Sequence, residues 1–312
     1  MPLPLDWANI KVDFVSKKHI FDFSVNNSEQ LFLGNPLKAA LETIDQITQK
    51  YPPPYILYVS GGADSQAMLY AWKISGKEFI AKSAVYNEGL NQHDLCTLRE
   101  FCAFNNIKVN YFDFDVINFL FNEHDTFARS YYSGSPHFTT YMKLVDMQEE
   151  GTAIMSGNFF LNGLDDNISN IPTKNVLSLY FYSFLTQKNF IPLFFIENKN
   201  LAFSFTLNSN TKNFIENFNN TEFKSKQILE KGLYDLKTLY YQTYGFPVIS
   251  QESKYTGFEK VKDYFDHNYS HLVSKKDRIF RTSMQKSNRV FDLLFRNKYE
   301  ARLSDHQFVI NI

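Results

Sequence analysis

Cysteine is scarce in this sequence: Cys96 and Cys102 are the only two in 312 residues. Two thiols cannot build a disulfide framework, so a reducing, cytoplasmic setting is expected. Long apolar runs are absent too. The densest, Phe190 to Ile196, falls far short of the roughly 20 residues that span a bilayer, so no membrane-spanning helix is expected. The opening Met1-Pro2-Leu3-Pro4-Leu5-Asp6 has no basic start before an apolar core, so no signal peptide is expected either. An excess of charge of one sign is also missing, with 32 basic residues against 33 acidic ones and a net charge of -1 at pH 7. No global attraction to nucleic acid or to a membrane surface follows from that balance. The sequence contains no internal repeat and no low-complexity linker.

What is present reads as a globular composition. A chain of 312 residues is long enough to bury a full core, and 44% apolar with 21% charged residues is typical of soluble proteins. The 32 Phe and 19 Tyr stand out. Such an excess also follows from base-composition bias in a gene, so no binding function is read from it.

Strand and helix patterns divide the chain in three. Residues 1–50 form a preface in which Val12 to Val15 is a short β-type run and Phe21 to Val25 alternates apolar with polar, a pair that suits a hairpin. Leu37, Leu41, Ile44 and Ile47 recur at helical intervals until Pro52-Pro53-Pro54 ends the helix. Residues 51–207 alternate between the two patterns. Strands are expected from Tyr55 to Val59, Ile80 to Tyr86, Val109 to Phe114 and Thr152 to Met155. Helices are expected from Asp64 to Ser75, Gln92 to Asn105 and His137 to Glu150. The alternation predicts an α/β protein, a Rossmann-like parallel sheet with helices on both faces. Phe190 to Phe195 and Leu201 to Leu207 resemble two further strands joined by a polar turn. Residues 208–312 are expected to be mainly helical from Thr221, broken near Gly245-Phe246-Pro247 and Thr256-Gly257, and packed on the preceding domain.

The string Ser60-Gly61-Gly62-Ala63-Asp64-Ser65 falls between the first buried strand and the helix after it. Ligands of open parallel sheets bind beyond the carboxyl ends of the strands, where a helix N-terminus offers unpaired N–H groups and a positive dipole end. Adjacent glycines let the main chain turn sharply and come close to phosphate oxygens. Ser60 and Ser65 add hydroxyl donors. Asp64, aimed at an anion, makes chemical sense with a divalent cation between them. A Gly-rich turn with an Asp or Ser cap is the ordinary alternative. Five fixed positions arise by chance in a chain this long on the order of once in a few thousand sequences, which favours the phosphate reading.

Ser-Gly-Gly-x-Asp-Ser after a first strand resembles the PP-loop of the N-type ATP pyrophosphatases. This superfamily of HUP-type, adenine nucleotide alpha-hydrolase-like enzymes includes asparagine synthetase, GMP synthetase, NAD synthetase, tRNA-lysidine synthetase and tRNA thiolation enzymes, with PAPS reductases as relatives, and the resemblance is nearest to its asparagine-synthetase-like and tRNA-lysidine-synthetase-like members. The resemblance is carried by residues 55–75 and extends through residue 160. It implies that Ser60, Gly61, Gly62, Ala63, Asp64 and Ser65 grip the β- and γ-phosphates of ATP, with Mg2+ at Asp64, and leave the α-phosphorus open. A substrate oxygen would attack there to give an adenylate and pyrophosphate, and an amine or ammonia would then displace AMP.

The same resemblance marks positions further along the chain. Tyr86 and Asn87 end the second strand, where related enzymes contact adenine or ribose. Gly157 and Asn158 end the fourth, and resemble a second Gly-containing segment beside the nucleotide. A plain strand-to-loop turn is the alternative for both. Asp165, in Asp165-Asp166, is either a second Mg2+ ligand or a solvated acid. Lys254 is a candidate catalytic residue; it opens Lys254-Tyr255-Thr256-Gly257-Phe258-Glu259-Lys260, which resembles a segment of asparagine-synthetase-like members or is an ordinary turn. The basic residues within 271–298 form a solvated helical face, reach an anionic substrate, or bind nucleic acid.

Cysteine narrows the reaction again. Glutamine-dependent amidotransferases carry a nucleophilic cysteine in an extra domain, which the first 50 residues, with none, do not supply. No cysteine follows residue 102, which argues against the sulfur-transfer branches. The expected activity is ATP cleavage to AMP and pyrophosphate, adenylating a small-molecule or nucleotide acceptor for amide or amine formation, with the nitrogen donor left open. A tRNA- or nucleotide-modifying enzyme and a non-catalytic ATP-binding module are the alternatives.

Overall fold

The computed structural model describes residues 8–12, 21–25, 35–148, 150–157, 174–204, 237–251, 258–273 and 290–296. β1 (Ala8–Val12) and β2 (Phe21–Val25) pair antiparallel, with Ile10 opposite Phe23 and Val12 opposite Phe21. The hairpin is therefore present, but its first strand ends at Val12 where the apolar run suggested a start. Ala8, Ile10 and Val12 alternate with Asn9 and Lys11, and that period of two matches the partner strand.

α1 (Pro36–Lys50) begins where the Asn35 side chain accepts a hydrogen bond from the Leu37 N–H at 2.8 Å, with proline at the first helical position. The next element is β3 (Tyr55–Tyr58), every residue of which is buried. α2 (Ala63–Ser75) follows and closes on Gly76 in the left-handed conformation, φ +70°. β4 (Ile80–Tyr86), α3 (Gln92–Phe104), β5 (Val109–Phe114), α4 (Val116–Asn122), α5 (His124–Ser130) and α6 (Pro136–Asp146) lead to β6 (Thr152–Met155). Then come α7 (Lys174–Thr186), β7 (Phe190–Ile191) and α8 (Lys199–Ser204). Residues 237–243 and Glu259–Asn268 are helical as well.

The five strands form one parallel sheet in the order β5-β4-β3-β6-β7. Alternate residues feed opposite faces, as strand geometry requires. Leu57 and Val59 join α1, α2, α3 and residues 240–248 in one core. Ile56 and Tyr58 join α4 to α7, Glu259–Asn268 and Phe291 in the other. The result is the α/β, Rossmann-like architecture with helices on both faces. Met68, Ala71 and Trp72 of α2, and Leu95, Leu98 and Cys102 of α3, are buried as their spacing required.

One expected strand is not there. Lys199–Ser204 is helix α8 and Phe194–Ile196 a single 3-10 turn, so Leu201 to Ser204 does not pair with the sheet. Phe194, Phe195 and Leu201 are buried within 1% of completely, and a short apolar run buried on all sides reads the same as strand or as helix. No helix among the described residues is long and apolar enough to cross a membrane.

Candidate active site

The sheet order reverses between β3 and β6, so the segments leaving these two strands border the crevice where open α/β sheets take ligands. The first of them is the turn 59–62. A Cβ added at Gly61 would lie 2.1 Å from the Asp94 carbonyl oxygen and 2.9 Å from its carbon, so main chain packs on main chain and only glycine fits. Gly62 is the N-cap of α2 with extended backbone, and no side chain caps the helix. Helix geometry points the first-turn N–H groups of α2 back along its axis toward the turn.

Serine hydroxyls brace the turn from inside. The Ser60 N–H donates to Ser65 Oγ at 3.1 Å and the Gly62 N–H to Ser60 Oγ at 3.3 Å. Ser65 Oγ meets Ser156 Oγ at 3.4 Å, which ties the β3 turn to the end of β6. Gly157 follows with φ +73°, and a Cβ there would lie 2.1 Å from Leu193 Cδ2. The candidates Ser60 to Ser65 and Gly157 thus lie together. Asn158, Asp165 and Lys254 fall outside the described residues.

Asp64 lies in the first turn of α2, where the helix dipole favours a carboxylate. Its Oδ1 accepts from Tyr241 Oη at 2.6 Å, and its Oδ2 pairs with Lys237 Nζ. Lys237 and Tyr241 are four apart on the helix 237–243 and so share one face. Tyr241 is fully buried, with Phe195 at 5.5 Å and Phe246 at 5.4 Å between ring centroids. Burial, then the Asp64 charge and hydrogen bond, hold its phenol far above the usual range.

Residues 246–251 cross the turn. Gln66, completely buried, donates through Nε2 to Gly61 O at 2.7 Å and to Ile249 O at 3.1 Å, while its Oε1 accepts the Ile249 N–H at 2.7 Å. Gln251 Nε2 donates to Asp94 Oδ1 at 2.9 Å and to His93 O at 3.2 Å. On the far side of residues 252–257, Phe258 packs on Tyr86 at 6.1 Å and on His137 at 5.0 Å. Both ends of the segment containing Lys254 are therefore fastened to elements that border the crevice.

Tyr86 is buried and its N–H donates to Asn91 Oδ1 at 2.9 Å. Asn87 Nδ2 donates to Asp115 Oδ1 at 2.7 Å, and its own Oδ1 is a buried oxygen without a hydrogen-bond partner among the described residues. Tyr141, from α6, stands against His137 at 4.4 Å. Its phenol is raised far above the usual range by burial, then by the charges of Tyr86, Asp94 and Asp64. Lys237, Tyr241, Gln66 and Tyr141 carry no local signal in the sequence. Asp94, in the first turn of the helix after β4, sits on the ligand edge by topology alone.

Of the basic stretch 271–298, residues 274–289 and 297–298 lie outside the described residues. Phe291 and Phe295 within it are core residues, packed on Phe265 at 5.7 and 5.0 Å. No protein-family model and no curated protein matches the chain. Among solved structures it is similar to the U34-tRNA thiolase NcsA from Methanococcus maripaludis with its 4Fe-4S cluster, at 14% identity and a TM-score of 0.32. That match covers 88% of this chain and 81% of the other, and at so low a score it carries no argument about the site.

Proposed function

We propose that this protein is a PP-loop, N-type ATP pyrophosphatase that cleaves ATP to AMP and pyrophosphate, adenylating an acceptor for amide or amine formation. The observation that carries the reading is the turn at 60–62. It is free of side-chain caps, jammed against α3 so that it cannot collapse, and set where the strand order reverses. In this reading residues 51–207 hold the nucleotide and 208–312 pack over it. The first-turn N–H groups of α2 and the hydroxyls of Ser60 and Ser65 bind the terminal phosphates. In the same reading Gly157 would let the β6 segment pass beside the nucleotide, and Asn87, whose Oδ1 has no hydrogen-bond partner among the described residues, would with Tyr86 accept from a ribose hydroxyl or adenine amine.

The residues present suit Mg2+. That ion takes one or two carboxylates and completes its shell with phosphate and water oxygens, and Asp64 already holds a cationic group on Oδ2. No group of three or more His, Cys, Asp or Glu poised for a metal occurs among the described residues, so Asp64 is the carboxylate in question, with Asp165 a proposed second. Bound there, Mg2+ would supply charge neutralisation for the departing pyrophosphate. Lys254 is the proposed catalytic residue toward the acceptor.

Sulfur transfer is not favoured. A reactive thiol needs a depressed pKa, but burial pushes Cys102 up to about 11, and Cys96 lies alone on the surface. The acceptor is a small molecule or a nucleotide, in the cytoplasm. The test is incubation of the full chain with Mg2+, α-labelled ATP, and pools of carboxylic acids, amines and tRNA. AMP with pyrophosphate is expected with one pool. ADP with orthophosphate would overturn the mechanism, and ATP binding without turnover in every pool would leave a binding module. A tRNA-dependent signal would identify a nucleic-acid-modifying enzyme.

A further inference from the structure

The reading above needs a divalent cation on Asp64, yet the position is held by Lys237. We propose that Lys237 is an internal counter-cation: in the nucleotide-free protein it occupies the cation position on Asp64, and metal binding displaces it toward the phosphates. The inference rests on the proposed phosphate site and concerns how that site is kept ready.

Three observations carry it. First, Tyr241 and Lys237 engage different oxygens of Asp64, the phenol on Oδ1 and the ammonium on Oδ2. One can leave without the other. Second, they are held unequally. Tyr241 is wedged between Phe195 and Phe246 with no exposed surface, whereas the Lys237 side chain keeps 17% of its surface at the end of a four-carbon stem. The phenol fixes the carboxylate, while the ammonium sits at the end of a rotatable stem. Third, the Asp64 side chain is only 13% exposed, and a carboxylate so withdrawn from water is stable only with a positive partner. A lysine and a metal ion cannot both touch Oδ2, since like charges at contact repel strongly. Lys237 therefore satisfies Asp64 while the site is empty and becomes available to phosphate oxygens when the metal arrives.

The exchange is a competition, so removing one cation must strengthen the other. The probe is Mn2+ alone, titrated into the nucleotide-free full chain and followed by electron paramagnetic resonance. Lys237→Met is expected to bind one Mn2+ at least about fivefold more tightly than the wild type, and Asp64→Asn/Lys237→Met to lose that gain. Lys237→Arg, which keeps the charge, is expected to stay as weak as the wild type. Unchanged Mn2+ affinity in Lys237→Met would overturn the proposal.

A second measurement needs no change at Lys237. Acetylation of Lys237 by acetic anhydride, read by mass spectrometry, should speed up as Mn2+ is added to the wild type. In Asp64→Asn it should be fast from the start and indifferent to metal. A wild-type rate independent of Mn2+ would likewise overturn the exchange. Release of AMP by a wild type that fails both tests would sink the exchange and spare the proposed reaction. Tighter Mn2+ binding in Lys237→Met supports the exchange whichever acceptor the enzyme takes.

Discussion

In the turn after β3 main chain meets main chain, whereas residues 246–251, which cross it, are held through side chains. Gly61 rests on the Asp94 carbonyl with no space for a methyl group. The crossing segment hangs on three glutamines, Gln66, Gln242 and Gln251. A main-chain contact fixes shape and tolerates no substitution. Side-chain ties can be cut one at a time, each at a graded cost. The pairing suits a site whose floor must be rigid and whose cover must be fastened from a distant part of the sequence.

The largest effect that would test this contrast is Gly61→Ala. Its Cβ meets backbone, which cannot rotate away, so α2 and α3 must separate. A loss of about 3 kcal/mol or more in urea unfolding is expected, together with loss of ATP binding by calorimetry. A fully stable Gly61→Ala protein would mean that the turn is softer than its contacts imply.

Gln66→Leu comes next. It keeps the volume but strips three hydrogen bonds, leaving Gly61 O and both polar groups of Ile249 without their partner. About 2–4 kcal/mol should be lost. Hydrogen exchange at the Ile249 amide should accelerate by more than at β3 amides, because the cover loosens before the sheet does. Equal acceleration at both would show that cover and floor open as one unit.

Gly157→Ala should cost less than either, about 1–2 kcal/mol, although its Cβ clash is as close as that at Gly61. Here the closest clashing atom is the tip of the Leu193 side chain, which can change rotamer, while Leu193 Cα at 3.0 Å and the left-handed φ of +73° account for the cost that remains. A double-mutant cycle with Leu193→Ala should therefore show favourable coupling, with the methyl group filling part of the space the leucine leaves. No such rescue is expected at Gly61, where the obstacle is a carbonyl.

The floor was legible in the sequence and the cover was not, for a physical reason. Ser60 to Ser65 announce themselves because a buried strand, two glycines and a helix start are contiguous, and topology then fixes where they sit. Tyr55 to Tyr58 and Trp72 were equally plain, since periodicity reports burial. Lys237 and Tyr241 meet Asp64 from more than 170 residues away, and an i, i+4 pair of Lys and Tyr looks like any half-exposed helix face. The short apolar run at Leu201 went wrong for the converse reason: complete burial erases the periodicity that separates helix from strand.

The smallest effect is alkaline, and it compares the two faces of the sheet rather than floor and cover. Cys102 lies in the core on one face, where burial raises its thiol from the ordinary 9.0 to about 11. Tyr58 lies in the core on the other, where burial raises its phenol from 10.0 to about 12 while its hydroxyl donates to Leu144 O at 2.9 Å. In both cases the folded protein keeps a proton that the unfolded chain gives up, so stability must fall as pH rises. The contribution is complete below pH 9, is lost between 9 and 11 for Cys102, and between 10 and 12 for Tyr58. Urea midpoints followed upward from pH 8 should hold level and then decline, with the onset set by the cysteine. Cys102→Ala should delay that onset by roughly one pH unit, leaving Tyr58 and the other buried tyrosines, Tyr86, Tyr141, Tyr180, Tyr182 and Tyr241 among them, to govern the rest. If Cys102→Ala leaves the onset where it was, the buried thiol does not govern the alkaline limit, and the buried tyrosines do.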